Sequence, residues 1–256
     1  MSATVDVKGQ LIENLRELHL PVVRKCFEEK ARHAERETLS YEQYLSELAE
    51  LECQARRQNR IMRLLQASRL PLEKTMENFD LKRLPPKAAR QVKTLLDGTF
   101  LDRCENVLAF GNPGSGKTHL LSALGQELIR GGRRVAFTTC TRLVQDLLLA
   151  KKELRLNRAI RKLAYYEALV IDDLGYVQQS RDEMEVLFTL LAERYERGSV
   201  LISSNLPFSK WEAIFKDAMT TAAAIDRLVH HCVIIELNIP SYRVEQAKKS
   251  QTRRRL

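Results

Sequence analysis

The sequence predicts an α/β protein: a five-stranded parallel sheet with helices on both faces, behind a small all-helical N-terminal domain. Three observations predict it. Residues 1–70 contain almost no glycine and repeat apolar residues at helical spacing. From Asn106 onward, short apolar runs alternate with helical stretches, as strand–helix–strand units of a parallel sheet do. Between the first such run and its helix, Gly111-Asn112-Pro113-Gly114-Ser115-Gly116-Lys117-Thr118 fits the phosphate-loop pattern G-x-x-x-x-G-K-[ST].

In the N-terminal part, Leu11, Leu15 and Leu18 share one helix face and Pro21 starts a second helix. Ser40-Tyr41-Glu42-Gln43 is a capping-box pattern opening a long helix that carries Tyr44, Leu45, Leu48, Leu51, Ile61 and Leu65. Residues 1–70 hold twelve basic and eleven acidic side chains, so the basic surplus lies elsewhere. Such a module is either a docking element or a bundle packed on its own core domain. Leu70-Pro71-Leu72 marks a linker. The expected layout is a helical docking domain over 1–70, a nucleotide-binding domain over 71–248 and a basic tail over 249–256. Asn78-Phe79-Asp80-Leu81 and a helix from Lys87 to about Leu96 precede the first strand. Phe79 is a candidate apolar wall for a nucleobase, or a plain core residue.

Asn106–Phe110 reads as a buried strand and His119–Ile129 as an amphipathic helix. Glycines between them let backbone N–H groups turn toward an anion, and the helix N-terminus adds its positive end. Gly111 through His119 are therefore candidate ATP contacts. Lys117 reaches the terminal phosphates and the Thr118 hydroxyl ligates magnesium. Arg134–Thr138 reads as a second strand, with Thr141 capping a helix to about Glu153. Ala168–Ile171 is a third strand, apolar throughout as a strand covered on both faces is. Ser180 opens a capping box and a helix, Ser199–Ser204 is a fourth strand, Ser209 opens a short helix, Met219–Val229 is helical, and Cys232–Glu236 is the fifth strand.

Ligands of open α/β sheets sit beyond the carboxyl ends of strands. At the end of the third strand, Asp172 is assigned to magnesium and Asp173 to orienting and partly deprotonating an attacking water. Asn205, ending the fourth strand, is either a γ-phosphate sensor or a loop cap. Arg227 fits an arginine supplied to a neighbouring subunit's nucleotide, and Arg243 a phosphate sensor; the alternative for each is a surface ion pair. His230-His231 has no carboxylate or cysteine at metal spacing in the sequence and receives no chemistry.

The chain has 256 residues, a formal charge of +9 and a pI near 9.4, which suits a polyanionic partner or plain solubility. Lys151, Lys152, Arg155, Arg158, Arg161 and Lys162 form a basic segment, a DNA face or a solvated helix face. The tail adds Arg243, Lys248, Lys249, Arg253, Arg254 and Arg255 against Glu245. None of the 5 cysteines forms C-x-x-C, which speaks against a zinc ribbon or disulfide framework and for a reducing cytoplasm. No apolar run approaches the roughly 18 residues of a membrane span, and the first residues lack a signal-peptide core.

Gly111–Thr118, Leu169–Asp173 with Leu174-Gly175, Ser203-Ser204-Asn205-Leu206, Asp226-Arg227-Leu228 and Ser241-Tyr242-Arg243 together resemble the IstB-type ATPases, the transposition helpers of insertion sequences and relatives of the DnaC helicase loaders. The resemblance covers residues 70–248, and the N-terminal helices fit an IstB-type leader. It implies an AAA+ core with sheet order 5-1-4-3-2, a homo-oligomer, ATP-dependent binding of double-stranded DNA and delivery of that DNA to a transposase. It also implies that Arg227 is the arginine finger and Arg243 a sensor II-like arginine. Two departures stand out: Asp173 where most AAA+ proteins carry Glu, and a chain ending soon after Arg243, before the usual helical lid. The other readings are a replicative helicase loader, a nucleotide-gated adaptor that barely hydrolyses ATP, and a small-molecule P-loop kinase. The kinase is disfavoured because no second substrate pocket or lid motif is evident.

Overall fold

The computed structural model describes residues 6–175, 180–211, 218–242 and 244. Two compact units divide the chain, Met1–Arg63 and Leu64–Leu256. The first consists, among the described residues, of α1 (Val7–Glu17), α2 (Pro21–Arg36) and most of α3 (Tyr41–Ser68). Asp6 caps α1 and Pro21 opens α2. The capping box of α3 forms: the Ser40 N–H donates to Gln43 Oε1 at 2.8 Å and the Gln43 N–H to Ser40 Oγ at 3.3 Å. Leu15, Val23 and Leu48 make a small core, with Leu20, Cys26, Phe27 and Tyr44 around it. Glu52 of α3 accepts from the Val22 and Val23 N–H groups, placing a carboxylate at the positive end of α2.

The second unit runs α4 (Pro86–Leu95), β1 (Asn106–Gly111), α5 (Lys117–Arg130), β2 (Val135–Thr139), α6 (Cys140–Lys152), α7 (Leu156–Ala164), β3 (Ala168–Leu174), α8 (Arg181–Arg194), β4 (Ser199–Ser204), α9 (Ala218–Val229) and β5 (Cys232–Leu237). The strands are all parallel, in the order β2-β3-β4-β1-β5, which is the expected 5-1-4-3-2 read from the other edge. Alternation assigns the strand residues to two layers. Leu108, Leu169, Ile171, Val200 and Ile202 share a core with Leu143, Val144 and Leu147 of α6, Leu187 and Leu190 of α8, and Leu228 of α9. Their neighbours Val107, Ala109, Val170 and Leu201, equally buried, point to the opposite face. α5 packs on β1 through β4.

One expected cap is corrected. α6 is capped by Thr139, whose hydroxyl accepts from the Arg142 N–H at 3.4 Å, and not by Thr141. The helix starts directly where β2 stops, so the extended backbone a cap requires belongs to Thr139 (φ −79°, ψ 150°). Ser180 and Glu183 form the expected capping box of α8. The helix expected from Ser209 falls largely on residues 212–217, outside the described residues.

Arg194, at the end of α8, is only 3 % exposed. Its guanidinium donates to the carbonyls of Leu163 in α7, Tyr166, Glu167 and Ser199, at 2.9–3.3 Å. Burial lowers its pKa to about 10. One side chain thus fastens α7 to the lead-in segments of β3 and β4.

Candidate active site

The glycine loop joins the carboxyl end of β1 to α5. Gly114 and Gly116 adopt φ of 78° and 98°, a region in which a side chain is strained. Space is tight there as well: a Cβ on Gly114 would lie 2.2 Å from Ser241 Oγ, and one on Gly116 3.2 Å from the Phe79 ring. The Tyr242 N–H donates to the Gly114 carbonyl at 3.0 Å, so the segment after β5 rests on the loop. The Lys117 ammonium donates to the carbonyls of Gly111 and Asn112 at 2.8 and 3.0 Å, placing the charge inside the loop's curve.

The carboxylate pair is split by a register shift between Ile171 and Leu174. Asp172 is buried and accepts from Thr118 Oγ1 at 3.0 Å and from the Ser203 hydroxyl. Asp173 adopts φ 59°, is exposed and lines the cavity over the loop. Its N–H donates to Ser203 Oγ at 2.9 Å. Ser203 therefore ties both acidic residues together, a role not read from the sequence. The available signal was that sheet order places β4 beside β3, with Ser203 two residues before Asn205.

Asn205 lines the same cavity, and its buried Oδ1 has no hydrogen-bond partner among the described residues. The turn that carries it is fixed on both sides. Ser204 Oγ lies 2.8 Å from the Leu174 carbonyl and accepts from the Leu206 N–H, while Trp211 Nε1 donates to the Leu206 carbonyl at 3.0 Å. The cavity, about 360 Å³, is also lined by Pro113, Ser115, Phe79, His119, Arg83 and Tyr242. Phe79 is half-buried in its wall, its ring 5.3 Å from that of His119. α5 holds this wall: His119 Nε2 is 2.9 Å from the Thr75 carbonyl, and Gln126 Nε2 donates to Pro71 and Lys74 carbonyls at 3.0 Å each. Arg83 donates to the Pro240 carbonyl, its guanidinium 5.0 Å from the Tyr242 ring centroid.

Gly111 through His119, Phe79, Asp172, Asp173 and Asn205 are thus gathered at the carboxyl ends of β1, β3 and β4. Arg227 is not among them. It lines a second pocket with Asn106, Asp102, Tyr195 and Glu196 at the amino end of β1. Its guanidinium lies 4.7 Å from the Phe188 ring centroid, and its buried Nη1 has no hydrogen-bond partner among the described residues. Arg243 lies outside the described residues. Folding brings the Glu196 carboxylate, which is distant in sequence, to His230 and His231, and ligand atoms of all three exposed residues lie within 4.8 Å of one another. The carboxylate comes from another element, so spacing near the histidines could not disclose it.

The basic segment spans the end of α6, a turn and α7. Lys151 pairs with Glu185 at 2.9 Å and Arg155 with Glu153. Lys152, Arg158, Arg161 and Lys162 are exposed, with no ion pair among the described residues.

The sheet order, the glycine cradle and the acidic strand end define a P-loop protein of the AAA+ type. Solved structures agree on the fold: the DnaC helicase loader superposes with a TM-score of 0.53 at 18% identity, over 60% of this chain and 89% of that one. AMPPCP-bound DnaA from Aquifex aeolicus gives 0.55 at 18%, over 71% of this chain and 56% of that one. The chain belongs to the family of IstB-like ATP-binding proteins, whose model matches residues 13–250. An insertion sequence ATP-binding protein of Sinorhizobium fredii is 42% identical, over 94% of this chain and 81% of its own length. The ATP-binding protein of insertion sequence IS5376 from Geobacillus stearothermophilus is 33% identical, over 97% and 99%. No helix among the described residues is long and apolar enough to cross a membrane.

Proposed function

We propose that this chain is an ATPase that assembles on duplex DNA with ATP bound and helps a partner transposase capture that DNA as a target. The observation that carries the catalytic part is the contact of Thr118 Oγ1 with buried Asp172, 3.0 Å apart, beneath a cavity that Lys117, Asp173 and Asn205 also line. Thr118 and Asp172 offer hard oxygen donors suited to magnesium. When bound, that ion neutralises charge on the β- and γ-phosphates.

The chain's own groups do the rest. Loop N–H groups hold the phosphates, and the Lys117 ammonium transfers its donors from the Gly111 and Asn112 carbonyls to phosphate oxygens. Phe79 flanks the base. Asp173, turned into the cavity by its left-handed backbone, accepts a proton from a water in line with the γ-phosphorus. The Asn205 amide orients that water or a γ-oxygen. Arg227, a strand's length from its own loop, serves the nucleotide of the neighbouring subunit, so assembly and hydrolysis are coupled.

The exposed cations of α6 and α7 supply phosphate contacts along DNA, and their repetition in an oligomer makes binding depend on ATP. The transposition role rests on the insertion-sequence relatives, which match nearly the whole chain. The Asp173→Asn variant tests the catalytic core of this reading. It should keep ATP affinity, slow hydrolysis by about a hundredfold or more, and leave ATP-bound assemblies that persist in sedimentation. Unchanged turnover would remove Asp173 from the mechanism.

A further inference from the structure

The turn between α6 and α7 carries a residue whose placement the ATPase reading does not use. Leu154 is 94% exposed, the most exposed of the large hydrophobic residues described. It also has φ 55°, and among the described residues it is the only aliphatic one of the non-glycine residues with positive φ. The backbone there is a helix-ending Schellman motif: the Leu154 N–H donates to the Lys151 carbonyl at 3.0 Å and the Arg155 N–H to the Ala150 carbonyl at 2.7 Å. Glycine or asparagine suits the left-handed position of that motif. Leucine there adds backbone strain and hydrated apolar surface, and it gains no burial within the chain.

The apolar stripe of α7 does not continue to Leu154. Leu156, Ala159, Ile160 and Leu163 face the core, while Arg158, Arg161 and Lys162 are exposed. Leu154 therefore stands at the tip of the turn, directly after Glu153, whose carboxylate pairs with Arg155, and between the exposed cations Lys152 and Arg158. α7 begins without a side-chain cap, which leaves its first N–H groups for an anion.

We propose that Leu154 is a wedge that enters a base step of duplex DNA while Lys152, Arg155 and Arg158 hold the flanking phosphates. Apolar side chains on a cationic surface partly unstack a step and kink the duplex in this way. The proposal rests on the α6–α7 segment being the DNA face, and it adds deformation of the duplex to simple charge contact. Sequence preference would then follow from flexible pyrimidine–purine steps and not from base-edge contacts.

The full chain with ATP is titrated onto duplexes carrying 2-aminopurine at a pyrimidine–purine step, with the end-to-end distance read by energy transfer. Wild type should raise the 2-aminopurine signal several-fold and shorten the distance. Leu154→Asn, which suits the left-handed backbone, should lose both effects while keeping the salt dependence of binding. Leu154→Phe should retain them. Arg155→Ala with Arg158→Ala should flatten the log–log salt slope by about 1.8, two phosphate contacts at roughly 0.9 each. Equal signals from wild type and Leu154→Asn, with the slope still responding to the arginines, would overturn the wedge and leave the DNA face standing. A slope indifferent to the arginines would remove the DNA face, and the wedge with it. Loss of ATP-dependent assembly without DNA in Leu154→Asn would also overturn the wedge, by making Leu154 a subunit contact.

Discussion

The two ends of β1 are built differently. At its carboxyl end, loop carbonyls, two hydroxyls and a buried carboxylate already satisfy one another around the cavity. At its amino end, Arg227 rests on the Phe188 ring with a buried donor lacking a partner among the described residues. Buried donors are nearly always paired in a finished structure. The carboxyl end thus carries the cavity over the glycine loop, where the buried Asn205 Oδ1 also lacks a partner among the described residues, and in the proposed function the amino end offers Arg227 to a different chain. With Arg227 serving a neighbouring subunit, as proposed, a monomer should bind nucleotide far better than it turns it over.

The largest expected effect separates the two ends. Arg227→Ala should lower the hydrolysis rate about a thousandfold, as loss of a trans-acting arginine does, with ATP affinity per subunit unchanged by calorimetry. Mixing it with Lys117→Ala subunits should restore part of the activity, since some interfaces then hold both an intact cradle and an intact arginine. No rescue, with co-assembly still visible in sedimentation, would break the comparison. Lys117→Ala disables the carboxyl end alone. Removing two charge-assisted hydrogen bonds to phosphate costs about 3 kcal/mol or more, roughly a hundredfold in affinity. Normal ATP binding in that variant would displace the site. The smallest effect refines the picture. Phe79→Ala should weaken ATP binding about tenfold, in line with loss of one aromatic–base stack, and leave the maximal rate unchanged. A fall in rate without a change in affinity would make Phe79 a support for the loop rather than a wall for the base.

Much of the fold was legible because its signals are local. Each strand is a short apolar run next to a breaker or a polar site residue, and the loop motif carries its own context. The sheet order came from resemblance, since periodicity says nothing about which strands are neighbours. Illegible features depend on distant partners or on one backbone angle. Asp172 and Asp173 receive different roles from their order along the strand, but the register shift after Ile171 that separates a buried first carboxylate from an exposed second one is not written in the sequence. Ser203 is one serine among several until β3 and β4 lie side by side. Glu196 reaches the histidine pair only through the ends of α8 and α9, and Thr139 outranked Thr141 as a cap because β2 stops where α6 begins.

Arg194 gives the molecule a mechanical property. A buried cation gripping carbonyls of α7 and of the lead-ins to β3 and β4 welds a surface helix to two strands of the sheet. Its partners come from several segments, and pulling any one away leaves charge stranded in a dry interior. Load applied to the outer face of α7 is therefore passed to the roots of β3 and β4 without slack. The far tips of those same strands carry Asp172, Asp173 and Asn205. Push on the basic helix and the body that answers is the one whose strands end at the cavity over the glycine loop.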